Sequence, residues 1–195
     1  MKKSILIILL MLMFLISFTS CRQESEKNIY DVLNSLTEKE YSTISIDVST
    51  LTAGEELKAN YILKQDCVDY NIEQINRLPE DGSFSDVPFD YKTEFSGTAE
   101  IKNGQVVKLD DTPVTLPSYD TLKGSFNFDE ANFTDVITSD GQFDAKVVSP
   151  SSFMGATTDA TDMSVTIEYS ESAFVKITLS YRTAHSKVTT VYSFE

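Results

Sequence analysis

The stretch MSVTIEYSESAFVKITLSYR, residues 163–182, decides the fold. Met163, Val165, Ile167 and Tyr169 alternate with Ser164, Thr166, Glu168 and Ser170; after a Ser-Glu-Ser turn, Val175, Ile177, Leu179 and Tyr181 alternate with Lys176, Thr178, Ser180 and Arg182. Successive side chains of a strand point to opposite faces, so each segment has one apolar and one wet face. That predicts an antiparallel sheet covered on one side, because parallel strands buried on both faces read as continuous apolar runs.

Outward from this hairpin the same period recurs. Ile44, Ile46 and Val48 alternate with Ser45, Asp47 and Ser49. In EFSGTAEIKNGQVVKLD, Asn103-Gly104 separates two apolar-patterned arms, and Asn-Gly is favoured in two-residue hairpins whose central residues both need positive φ. Asp140-Gly141 marks another turn, and Thr183 to Ser186 a fourth. Seven to ten strands are expected. Helical spacing is found in one place: Ile29, Val32, Leu33 and Leu36 fall at i, i+3, i+4 and i+7, which predicts an amphipathic helix over about 25–40. Glu24 and Glu26 near its start and Lys39 near its end suit the helix dipole. The expected class is therefore α+β, an N-terminal amphipathic helix packed on a curved, mainly antiparallel β-sheet, half-barrel-like, with the helix filling the curve. Stretches 79–90, 110–120 and 149–162 are rich in Pro, Asp and Ser and read as surface loops. Within the last, Phe153-Met154-Gly155 either rims a pocket or packs its own Phe on the core, and the second is expected.

The chain opens with Lys2 and Lys3, an unbroken apolar run from Ile5 to Ile16, and small polar residues up to Cys21. That layout is a secretory signal peptide. Twelve residues at 1.5 Å each reach about 18 Å, short of the roughly 30 Å a spanning helix must cross. Phe18-Thr19-Ser20-Cys21 resembles the lipobox of bacterial lipoprotein precursors. The resemblance implies cleavage before Cys21, acylation of its thiol, and an anchor on the extracytoplasmic face of the cell membrane; Phe18 stands where the family usually carries leucine. The alternative is an ordinary cleaved signal that leaves Cys21 a thiol. Residues 1–20 are read as the leader, 21–28 as the lipidated Cys and a polar tether, and 29–195 as one domain. Cys21 and Cys67 are the two cysteines, so an acylated Cys21 leaves Cys67 without a disulfide partner; an unacylated one would allow a bridge.

Thirty acidic against sixteen basic residues give −14, and loss of Lys2 and Lys3 with the leader takes this to −16. Such a surface repels phosphate backbones, which excludes nucleic acid as a partner, and repels anionic lipid, which excludes adhesion by charge. Candidate chemistry is sparse. His185 is the sole histidine, in a predicted turn, and cannot serve a triad or a zinc site alone. The loop carboxylates Asp81, Asp86, Asp90, Asp110, Asp111, Asp159 and Asp162 lack EF-hand spacing, and Glu55-Glu56 and Asp110-Asp111 are sequence neighbours with no Trp nearby to stack a sugar. No phosphate-binding glycine motif is present. A non-enzymatic protein without cofactor is expected. Twelve Phe and nine Tyr remain to be placed, and Phe126, Phe128, Phe143 and Tyr169 lie on predicted strands facing the interior. They form a packed core or, if the core is incompletely filled, line a cavity for an apolar or lipid-like ligand. The order of elements also resembles the half-barrel lipoprotein carriers and their lipid-binding relatives, which implies such a ligand but assigns no residue. The rival expectation is a structural or adhesion surface lipoprotein that meets a protein or glycan partner without an internal ligand.

Overall fold

A computed structural model describes residues 28–77, 90–107, 116–122, 125–156 and 158–195. The leader, Cys21 and its tether, and the loops at 79–90 and 110–120, lie wholly or largely outside these residues.

Ten strands form one sheet: β1 Ile44–Leu51, β2 Glu55–Leu63, β3 Cys67–Arg77, β4 Asp90–Lys102, β5 Gln105–Val106, β6 Phe133–Ser139, β7 Gln142–Val147, β8 Thr161–Tyr169, β9 Phe174–Arg182 and β10 Lys187–Phe194. Their order across the sheet is β5-β4-β3-β2-β1-β10-β9-β8-β7-β6, with every pairing antiparallel. Two meanders thus run outward from a central seam, where β1 pairs with β10 from Ile44↔Phe194 to Leu51↔Lys187. The β5–β6 connection must return from one edge to the other, a width of nine strand spacings or about 43 Å.

The period-2 pattern becomes one continuous apolar face. Ile46 lies opposite Tyr61 on β2 and Tyr192 on β10, Tyr192 opposite Ile177 on β9, Ile177 opposite Ile167 on β8, and Ile167 opposite Phe143 on β7. All six are buried. Turn chemistry fits the expected hairpins. Asn103 and Gly104 both take positive φ, 55° and 73°, as a type I′ turn requires. At Asp140-Gly141 only Gly141 is left-handed. The turns at 170–173 and 183–186 close through Ser170 N–H to Ala173 C=O and Thr183 N–H to Ser186 C=O, both 2.8–2.9 Å. Gly97 has a packing role: Tyr70 lies across from it, and a Cβ on Gly97 would sit 2.8 Å from the Tyr70 hydroxyl oxygen.

The α+β class expected from the sequence is corrected here. Strands take 56% of the described residues and helices 13%, and a single helix has seven or more residues. That helix, α1, spans Ile29–Thr37, shorter than the expected 25–40. Asn28 caps it by accepting from Tyr30 N–H, and it ends at Thr37 without a basic residue in its last turn, so Lys39 lies beyond it. Nine residues extend only about 14 Å, too short to cover a sheet about 43 Å wide. Among the described residues, the rest of the cover comes from 116–122 and 125–132 between β5 and β6, with the short helix α2 Tyr119–Leu122 and a 3₁₀ turn Glu130–Asn132, and from the β7–β8 loop, with α3 Pro150–Phe153. The architecture is a single all-β sheet under a cover of loops.

Phe126 and Phe128 belong to this connector and not to a strand, contrary to the sequence expectation. Phe153 is fully buried, so the 149–162 loop packs its Phe on the core as expected. Asn34 fixes α1 to the connector: its side-chain amide donates to Phe128 C=O and its carbonyl accepts from Phe128 N–H, both at 3.1 Å. Asn34→Ala strips both partners from a half-buried backbone. An expected loss of about 2 kcal/mol would lower the Tm by roughly 4–8 °C, measurable by thermal melting.

Candidate functional site

The four aromatic residues singled out in the sequence converge on the inner face. Phe128 and Phe143 are 0% exposed and Phe126 8%, while Tyr169, at the end of β8, is half-buried. Phe126, Phe128, Phe133 and Phe153 stack or meet edge to face with centroids 5.3–6.3 Å apart, and Tyr30 of α1 lies 6.0 Å from both Phe133 and Phe143. A pocket beside them, between α1, α2, β1, β9 and β10, is lined by Tyr41, Ile44, Tyr119, Phe126, Phe174 and Tyr192 among others and holds about 20 Å³. That is room for roughly one water molecule.

Hydroxyls around this pocket are committed to structure. Tyr119 Oη accepts from Tyr41 N–H at 2.7 Å and donates to Tyr41 C=O at 2.9 Å. Tyr41 Oη donates to Leu36 C=O at the end of α1 and accepts from Phe174 N–H at the start of β9. Burial pushes the Tyr192 hydroxyl up to about 12 and raises Tyr41 in the same direction, so both hydroxyls stay protonated at physiological pH.

The opposite face carries a second feature. The wet sides of β10, β1, β2 and β3 form an open depression of about 370 Å³, lined by Asp47, Ser49, Lys58, Asn60, Asn71, Glu73, Thr189 and Val191. Asp47 lies opposite Asn60 and Val191 in the strand registers, and Ser49 opposite Lys58 and Thr189. Some of these groups are tied: Asn60 donates to Asp47 at 2.7 Å, and Lys92 donates to Glu73 at 3.0 Å. Ser49, Asn71 and Thr189 carry no side-chain hydrogen bond among the described residues and offer hydroxyl and amide groups to solvent. Sequence reasoning missed this site, since each polar position there looks like any wet face of a strand.

Other candidates are placed singly. His185 is exposed in the β9–β10 turn, its backbone N–H on Thr183 Oγ1. Cys67 is a free, half-buried thiol whose pKa is raised by desolvation and then by neighbouring Asp66, which favours its protonated form. Asp159 and Asp162 lie in the β7–β8 loop and the start of β8; among the described residues no group of three or more His, Cys, Asp or Glu is placed to hold a metal. Among them too, no helix is long and apolar enough to cross a membrane. No protein-family description and no curated protein matches the chain.

Proposed function

We propose that the chain is an envelope lipoprotein, anchored through acylated Cys21 on the extracytoplasmic face, whose body is a non-enzymatic binding module for a polar protein or glycan partner. The observation that carries this reading is a contrast of volumes: about 20 Å³ inside the aromatic core against about 370 Å³ in the hydrogen-bonding depression outside. A lipid tail or drug-sized apolar molecule needs a pocket of about 300 Å³ or more. The pocket described beside the aromatic core is below that size, which favours the adhesion or scaffold alternative. Site sizes in the hundreds of cubic ångströms suit a few sugar units or one strand-like peptide segment, held by hydrogen bonds to Ser49, Asn71 and Thr189.

The test places a photo-crosslinking residue at Thr189 in cells, with Thr166 on β8 as the control on the same face. An adduct from position 189 and none from 166 is expected. The double variant Ser49→Arg/Asn71→Arg should reduce that adduct, or sedimentation with isolated cell-wall fragments, at least tenfold while the Tm moves little. Unchanged capture would refute the outer-face reading, and a stoichiometric lipid in native mass spectra would return the function to the interior.

A further inference from the structure

We infer that the outer depression takes an uncharged, linear glycan whose chain crosses the strands, about one sugar ring to each strand from β3 to β9. This deepens the outer-face reading above and rests on it. The registers lay the wet side chains of β3, β2, β1, β10 and β9 in two rungs. One reads Glu73, Lys58, Ser49, Thr189 and Ser180, and the other Asn71, Asn60, Asp47, Val191 and Thr178. Neighbours within a rung are one strand spacing apart, about 4.8 Å, and the rungs are separated by a two-residue step of about 6.7 Å. The depression therefore has its long axis across the strands, about 14 Å from β3 to β10, and Ser180 and Thr178 continue both rungs onto β9.

The shape selects a glycan over a peptide. β1, β2 and β10 each pair on both sides, so a peptide cannot join them as an added strand and meets side chains alone. An extended peptide also presents same-face groups about 6.7 Å apart, out of step with rungs that repeat at about 4.8 Å. A linear glycan repeats once per ring, a length close to the strand spacing, and carries hydroxyls along both edges. Lying between the rungs, it meets Ser49, Thr189 and Ser180 on one side and Asn71 and Thr178 on the other. None of these five makes a side-chain hydrogen bond among the described residues, so each has its hydroxyl or amide to offer.

The charges in the depression already have partners. Lys92 bridges Glu73 at 3.0 Å, Lys58 lies 3.2 Å from Glu56, and Asp47 accepts from Asn60 at 2.7 Å. The groups left to bind are neutral hydroxyls and an amide, which suits an uncharged chain, and a body at −16 repels anionic ones. Both ends of the track are marked. Beyond β3, Lys92 also bridges Glu94 and crowds that end with charge. Beyond β9, Thr166 donates to Asp144 at 2.6 Å and Ser164 to Ser180 C=O, so these hydroxyls of β8 are committed. Each ring thus adds a hydrogen bond or two, about two- to tenfold in affinity per bond, until the track is full.

The experiment presents the full chain, biotinylated at a C-terminal tag and tetramerised on streptavidin, to an array of linear glycans one to seven rings long. The array carries neutral β-1,3- and β-1,4-linked glucose, galactose and N-acetylglucosamine chains, with polygalacturonate fragments of equal length as the anionic arm. Binding to neutral chains is expected to rise severalfold per ring and level at about five rings, one per strand, with the anionic arm at least about tenfold weaker. Ser180→Arg should lower the plateau to about four rings while shorter chains still bind. Ser49→Arg/Asn71→Arg should cost at least about tenfold at every length. Binding that ignores chain length, or that survives the double variant, refutes the track, and equal capture of the anionic arm overturns the uncharged assignment. If no glycan binds while the crosslinker at Thr189 still captures a protein, the glycan is refuted and the outer-face reading stands. If neither occurs, both fall.

Discussion

Phe128→Ala is expected to be among the most damaging single substitutions in the described chain, costing about 3–5 kcal/mol and lowering the Tm by roughly 10 °C. Phe128 is fully buried, with ring centroids of Phe126, Phe133, Phe153 and Phe174 all within 6.3 Å. Those neighbours come from the connector, β6, the β7–β8 loop and β9, so the ring joins the loop cover to the sheet. Removing it opens a cavity lined by other rings that cannot collapse without moving several elements, and aromatic contacts are lost as well as transfer energy. Phe128→Leu should cost markedly less, because it keeps most of the volume. Denaturant unfolding of both variants decides the matter: equal losses would mean that the backbone clasp by Asn34, and not the ring, holds the connector down.

The behaviour of Phe128 also explains what could be read in advance. β8 and β9 were visible because burial on one face imposes a period of two on residues 163–182, and the hairpins because Asn103-Gly104 and Gly141 answer a local demand for positive φ. Phe126-Asn127-Phe128 shows the same period and is not a strand. Its backbone groups find partners far away, Phe128 in the Asn34 side chain and Asn127 N–H in Phe153 C=O. A partner 94 residues distant leaves no trace in a local window. The α+β expectation failed for a related reason: the spacing from Ile29 to Leu36 reveals that a helix exists, while only Asn28 and the fold fix its length, and nothing local says that loops will cover most of the sheet. The outer depression was hidden more completely. Residues 47–49 and 189–191 become neighbours only because β1 pairs with β10, a pairing between the far ends of the domain.

The second large effect concerns a single hydroxyl. Tyr119 Oη is the partner of both the N–H and the C=O of Tyr41, 78 residues earlier, in a buried site. Tyr119→Phe keeps the ring and therefore the packing, but leaves a backbone donor and acceptor together without partners. Each unsatisfied buried group costs about 1–3 kcal/mol, so a loss of about 2–6 kcal/mol is expected. The effect should extend along the chain of bonds, because Tyr41 Oη links Leu36 C=O on α1 to Phe174 N–H on β9. If the Tyr41 backbone shifts once released, that link weakens too, and Tyr41→Phe and Tyr119→Phe will be non-additive. A double-mutant cycle read by denaturant unfolding should give a coupling of at least about 0.5 kcal/mol, the threshold for residues in one network. Strict additivity would show that water replaces the Tyr119 hydroxyl in the adjoining pocket, where about 20 Å³ gives room for it. In that case the loss from Tyr119→Phe alone should also fall below about 1 kcal/mol, since a bridging water restores most of a direct bond.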